Sequence, residues 1–228
     1  MSKQFTLPEE LVFLGLDKKI HRFKLDYQSH KELYSVGAVF IELLLREVIN
    51  IGQDGKVHLV QADPTGISYL DQVIEVLSDS SKDRSLKKWI LSFYYSKRNV
   101  RKKVHQSILE SLCEQDVVTQ EKDTFLFIIP KHKYVAAKQE QDRIIQRIRA
   151  ELLEEGPVDE QTVALSFLLK ETKMLKEYFS NYEHEQLIKR LEELKVKHES
   201  LQWVKWIEKA IDEINLAIAA AGAAAATS

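Results

Sequence analysis

Hydrophobic positions along this chain recur mostly at helical spacing, with short alternating runs between them. Thr6-Leu7-Pro8-Glu9 has the spacing of a capping box with proline in the first turn, and an apolar run over 11–16 follows, which predicts a short helix. Residues 20–25 alternate and read as a strand. Over 31–48, Leu33, Val36, Val39, Phe40, Leu43 and Leu44 fall on one helical face. Two β-rich runs, 49–51 and 57–60, flank Asp54-Gly55 and predict a hairpin. Helical spacing resumes over 67–77, around Trp89, and over 99–115, where Val100, Val104, Ile108 and Leu112 share a face. A second hairpin is expected from 117–119, a polar turn at 120–123, and the apolar run 125–129. A helix followed by a hairpin therefore occurs twice, a supersecondary echo too weak in sequence to count as a repeat. Beyond Pro130 nearly everything reads as helix, near 134–154, 159–179, 183–194 and 201–220, broken at Gly156-Pro157 and around Asn181.

The expected fold class is mainly α: a single globular helical domain over residues 1–220 with two or three small β-hairpins, one protruding. The Ala-rich stretch 221–228 reads as a disordered tail. Composition agrees, because only 7 Gly and 4 Pro in 228 residues leave few positions for turns. Lys and Arg number 33 against 35 Asp and Glu, a net charge of −2, so any polyanion site must be a local patch. A lone Cys113 excludes a disulfide framework and a cysteine-rich zinc site. No apolar run reaches the ~18–20 residues that span a bilayer, and the first residues lack a signal-peptide core. A soluble, intracellular protein is expected.

Chemistry-bearing motifs are sparse. No P-loop, GxGxxG, GxSxG or HExxH occurs. The seven histidines are scattered without metal-ligand spacing, the Glu-rich segments sit among Lys and Arg as solvated helix faces, and Cys113 reads as a packed thiol. The expectation is no enzyme, no metal and no cofactor.

Two features stand out. Lys97, Arg98, Arg101, Lys102 and Lys103 form the densest basic cluster, and on a helix Arg98, Arg101, Lys102 and His105 project together, opposite the Val100/Val104/Ile108 face. Arg forks one turn apart grip phosphate by charge-assisted bidentate hydrogen bonds, although an ordinary solvated face has the same composition. The run Phe125-Leu126-Phe127-Ile128-Ile129 is either a buried strand or an apolar tip beside Lys131 that dips into a membrane interface.

A set of short motifs in order carries a resemblance over about 6–220: Thr6-Leu7-Pro8-Glu9-Glu10 with Leu14-Gly15-Leu16, Ile41-Glu42-Leu43-Leu44-Leu45-Arg46, and Asp63-Pro64-Thr65-Gly66 before Leu70-Asp71. Arg98-Asn99-Val100-Arg101 and Glu121-Lys122 before Phe125-Leu126 complete it. The chain resembles the Golgi phosphoprotein 3 family, peripheral membrane proteins that read phosphatidylinositol 4-phosphate. The resemblance implies a helical domain with a protruding hairpin and a shallow basic headgroup pocket. Arg98 and Arg101 would clamp phosphate, Tyr27 would stand where the family has a pocket tryptophan, and the hairpin would serve membrane contact and self-association. A third family arginine aligns with Val36, and losing a guanidinium from a phosphate site costs about 1.5–3 kcal/mol. The chain is also shorter between Trp89 and Arg98 than eukaryotic members, and no Arg-bearing N-terminal extension is read before the first helix. These departures suggest a bacterial member, and coatomer and glycosyltransferase-tail binding are not carried over.

The expectation is thus a peripheral protein on the cytosolic face of a membrane that binds an anionic lipid headgroup, most like phosphatidylinositol 4-phosphate. The expected headgroup residues are Tyr27, Arg98, Arg101, Lys97 and Lys102, with Lys103 adding attraction and Phe125 and Leu126 inserting. A homo-oligomer through the hairpin is expected, and no nucleic acid. The rival reading is a protein-interaction adaptor whose basic patch is incidental.

Overall fold

A computed structural model describes residues 5–16, 26–125, 129–154, 156–197 and 202–226. In chain order these form α1 (Leu7–Gly15), α2 (Asp26–Leu45), β1 (Ile49–Ile51), β2 (Val57–Leu59), α3 (Ser68–Ser78), α4 (Leu86–Tyr95), α5 (Arg98–Glu114), β3 (Val118–Phe125) and β4 (Ile129–Ala136). Then follow α6 (Lys138–Leu152), α7 (Glu160–Glu171), α8 (Leu175–Tyr178), α9 (Asn181–Lys197) and α10 (Gln202–Ala226). The fold is mainly helical, with two antiparallel hairpins, β1–β2 and β3–β4, among the described residues. The helices share one hydrophobic core, centred on α1 and α2.

Helix α1 is short, yet all nine of its residues are buried. The leading N–H groups of a buried helix need protein partners, and here the chain supplies carboxylates. Thr6 and Glu9 form a reciprocal capping box, with Thr6 N–H donating to Glu9 Oε2 at 2.8 Å. Leu7 N–H donates to Glu42 of α2 at 2.9 Å, and Pro8 has no N–H to satisfy. The other oxygen of Glu9 accepts from Ser111 and Gln115 at the end of α5, at 2.7 and 2.8 Å. Glu10 is held by a bidentate Arg147 fork from α6, at 2.7 and 2.8 Å, and by Gln161 of α7 at 2.9 Å. Burial still holds the Glu10 carboxyl above its ordinary value of 4.5, the fork offsetting part of that cost.

The helix-then-hairpin echo is structural as well. Helices α2 and α5 both end through a residue in the left-handed region, Glu47 (φ 57°) and Asp116 (φ 56°). The next residue then donates back five positions, Val48 to Leu43 and Val117 to Leu112. That is the Schellman geometry, and Val48 and Val117 are buried in both copies.

Several boundaries differ from expectation. Helix α2 begins at Asp26 rather than near 31, bent at His30 (φ −127°, ψ 19°). The polar segment 120–123 is strand rather than turn, and β4 runs on to Ala136, into the stretch from 134 where helix was expected. Phe125 pairs with Ile129, so these two residues lie on facing strands instead of one, and residues 126–128 of the apolar run lie outside the described residues. The long helix expected over 159–179 breaks at Lys173 (φ 62°) into α7 and α8. Helix α10 runs on to Ala226. The strand expected at 20–25 lies outside the described residues.

The Glu10–Arg147 contact gives a direct test of this account of α1. Arg147→Ala strands a carboxylate that is 1% exposed, and should cost on the order of 3–5 kcal/mol in urea denaturation at neutral pH. A loss below about 1 kcal/mol would show that α1 does not depend on that fork.

Candidate anion-binding site

The basic cluster sits on the amino-terminal half of α5. That helix begins with no acidic residue in its first turn, and its cap, Lys97, makes no side-chain capping bond. Helix amino ends carry partial positive charge and favour acidic neighbours. Lys97, Arg98, Arg101, Lys102 and Lys103 at that end are a local electrostatic conflict that a bound anion relieves.

Opposite this end lies the start of α2, where Tyr27, Lys31 and Ser35 follow one another at four-residue spacing along one face. The Tyr27 ring is buried against the carboxyl end of α1. A Cβ at Gly15 would come within 2.3 Å of it, so only glycine lets the ring lie there. Tyr27 also stacks on Tyr34, with centroids 6.0 Å apart. Burial pushes the Tyr27 hydroxyl well above its ordinary value of 10.0, so it stays a neutral donor. Gln28 donates to the Gly15 carbonyl at 3.0 Å and fixes the junction of α1 and α2.

Two adjoining cavities open between α2 and α5. The larger, about 670 Å³, is lined by Tyr27, Lys31, Lys102, Lys103, His105 and Tyr134, among others. A smaller one, about 310 Å³, is lined by His30, Tyr94, Arg98 and Arg101. Gln28, Lys31, Glu32 and Lys102 belong to both walls. Five cations (Lys31, Arg98, Arg101, Lys102, Lys103) therefore face two carboxylates, Glu32 and Glu110. A third cavity, about 730 Å³, has the opposite character: Glu9, Glu42, Glu110 and Glu114 against Arg46. Charge alone assigns an anion to the first pair.

The expected site residues divide among these cavities. Tyr27 lines the larger one, Arg98 and Arg101 the smaller, and Lys102 both, while Lys97 lines neither. Arg101 is already engaged. Its Nε donates to Glu32 at 2.9 Å, its guanidinium lies over the Tyr94 ring at 5.5 Å, and its side chain is 11% exposed. Val36 is fully buried in the core, so the cation that α2 presents here is Lys31. Arg22 and Lys24, which stand near the junction in sequence, lie outside the described residues, as do Leu126 and the Phe125 side chain. Lys31 was legible in the four-residue spacing from Tyr27 but carried no motif of its own.

His105 is buried, not part of an exposed basic stripe. Its Nδ1 lies 2.8 Å from Ser35 Oγ, and burial, then the charge of Lys31, lowers its pKa from 6.5 to about 3. Cys113 is no activated nucleophile, since burial raises its thiol pKa. Among the described residues no cluster of three His, Cys, Asp or Glu is placed to hold a metal, and no helix is long and apolar enough to cross a membrane.

A family model, Golgi phosphoprotein 3 (GPP34), matches residues 7–214, and the chain belongs to that family. Its members bind lipid and protein partners.

The neutrality of His105 has a measurable consequence. An unfolded chain takes up a proton near pH 6.5 that the folded chain refuses until about 3, so stability falls as pH drops through that window and is unaffected above it. Relative to His105→Gln, the wild-type chain should lose about 2 kcal/mol between about pH 7 and about pH 5 in parallel denaturations. Parallel curves for the two proteins would mean that His105 is charged or solvated in the fold.

Proposed function

We propose that the protein is a peripheral membrane protein that binds an anionic lipid headgroup, most like phosphatidylinositol 4-phosphate, in the cleft between α2 and α5. The observation that carries this reading is the excess of five cations over two carboxylates around adjoining cavities, beside a helix amino end without an acidic cap. Lys31 and Lys102, on the shared wall, are the principal phosphate contacts. Arg98 adds a guanidinium from the smaller chamber, Tyr27 walls the larger, and Lys97 and Lys103 contribute longer-range attraction. Arg101 meets the ligand only by exchanging Glu32 for it, so its part is the orientation of the α5 amino end.

The hairpin supplies the second contact. Its register pairs residue 125 with residue 129 at the distal end of the described strands. Phe125 and Leu126 insert there into the acyl boundary of the cytosolic leaflet, and the same hairpin serves pairing between copies. Each basic residue near an anionic surface contributes ~1 kcal/mol, so docking is reversible and requires the several contacts together.

The protein-interaction adaptor remains the second reading, favoured by one observation: Arg101 is already paired with Glu32. Sedimentation with vesicles separates the two. Vesicles of phosphatidylcholine with phosphatidylinositol 4-phosphate should carry the chain down, and pure phosphatidylcholine should not. Arg98 and Lys102 are exposed, so Arg98→Ala with Lys102→Ala leaves the core intact and should weaken binding roughly thirtyfold. Undiminished binding by that variant removes the site. No vesicle binding, with a protein complex that survives salt well above ~0.15 M, decides for the adaptor.

A further inference from the structure

His105 lines the larger cavity, and no hydrogen bond from a described residue reaches its Nε2. Ser35 is fully buried, and its hydroxyl donates to the Lys31 carbonyl at 2.8 Å. The same oxygen lies 2.8 Å from His105 Nδ1. A hydroxyl has one proton and a carbonyl only accepts, so that proton is committed to Lys31 and the second contact requires Nδ1 to be the donor. His105 is held neutral by its burial and by Lys31 nearby. A neutral imidazole carries a single N–H, which leaves Nε2 with a lone pair. No hydrogen bond to Nε2 is made among the described residues, although His105 is only 8% exposed and lines the cavity.

The cavity therefore makes two different demands. Lys31, Lys102 and Lys103 around it call for phosphate, whereas Nε2 calls for a donor and repels an anionic oxygen. A bare phosphate or an alkyl phosphate meets only the first demand. We propose that His105 Nε2 accepts a hydrogen bond from a ligand hydroxyl, so that the cavity selects phosphate esters of polyols over phosphates without hydroxyl groups. This rests on the headgroup reading above and adds a specificity residue to it. The shared chemistry is a phosphorylated ring or chain bearing free hydroxyls, whether as a lipid headgroup or as a soluble ester, and a volume of about 670 Å³ accommodates either.

The test compares inositol 4-phosphate with cyclohexyl phosphate, which has the same ring and phosphate but no hydroxyls, on the full chain with nitrogen-labelled histidine. The free protein should show His105 as the Nδ1-protonated neutral tautomer. Wild type should prefer the inositol ester by about fivefold, and His105→Phe should bind the two esters equally. His105→Gln, whose amide oxygen still accepts, should keep part of the preference, and thermal melting confirms that each variant folds. A matching loss by His105→Phe on phosphatidylinositol 4-phosphate vesicles assigns the hydroxyl to a lipid headgroup, and a loss with the soluble ester alone assigns it to a free phosphate. An Nε2-protonated tautomer, equal wild-type affinity for the two esters, or a preference that persists in His105→Phe would overturn the assignment of His105 while leaving the cationic cleft in place. Failure of wild type to bind either ester or the vesicles would overturn both readings.

Discussion

A fully buried helix amino end has to be satisfied by protein, and this constraint organises the molecule. The three carboxylates Glu9, Glu10 and Glu42 are each no more than 4% exposed, and they connect α1 to α2, α5, α6 and α7 through hydrogen bonds of 2.7–2.9 Å. Apolar burial alone tolerates sliding and rotation of helices, but a set of hydrogen bonds to the first turn of α1 does not. With that end fixed, the other end delivers Gly15 beneath Tyr27 and the Gly15 carbonyl to Gln28. The cleft between α2 and α5 is thus positioned by contacts at the far end of a nine-residue helix.

The cleft follows a different rule from the core. In the core the buried carboxylates are matched: Glu9 with Thr6, Ser111 and Gln115, Glu10 with Arg147 and Gln161. At the amino end of α5 the matching stops, with five cations around two small cavities and a helix start that lacks an acid. Apart from the Arg101–Glu32 pair, such an arrangement works against folding, since like charges near a helix amino end repel both one another and the helix dipole. A locus where local rules are broken is where binding is expected.

Much of this was readable from residues. The capping box at Thr6, the Asp54-Gly55 hairpin and the helical faces of α2 and α5 are local signals, and the structure follows them. Where the reading went astray, a non-local force decided. Residues 120–123 look like a turn by composition, but pairing with 131–134 extends them into β3. Lys173 ends α7 through a left-handed residue that no glycine announces. In the site, the Arg-x-x-Arg motif was plain, but its division between chambers was not, because the partnership of Arg101 with Glu32 spans 69 residues. His105 reads as one more basic residue on a stripe until Ser35, 70 residues earlier, is seen to bury it.

The central claim is that the cleft between α2 and α5, together with the end of the β3–β4 hairpin, is the surface that meets an anionic membrane. Amide hydrogen exchange of the chain on vesicles containing phosphatidylinositol 4-phosphate, against phosphatidylcholine vesicles, reads that surface without any substitution. The account predicts slowed exchange at the first turns of α2 and α5 and in the hairpin, with the acid-lined cavity around Glu9, Glu42 and Glu114 unchanged. Slowed exchange elsewhere, with the starts of α2 and α5 exchanging as in the free protein, would contradict it.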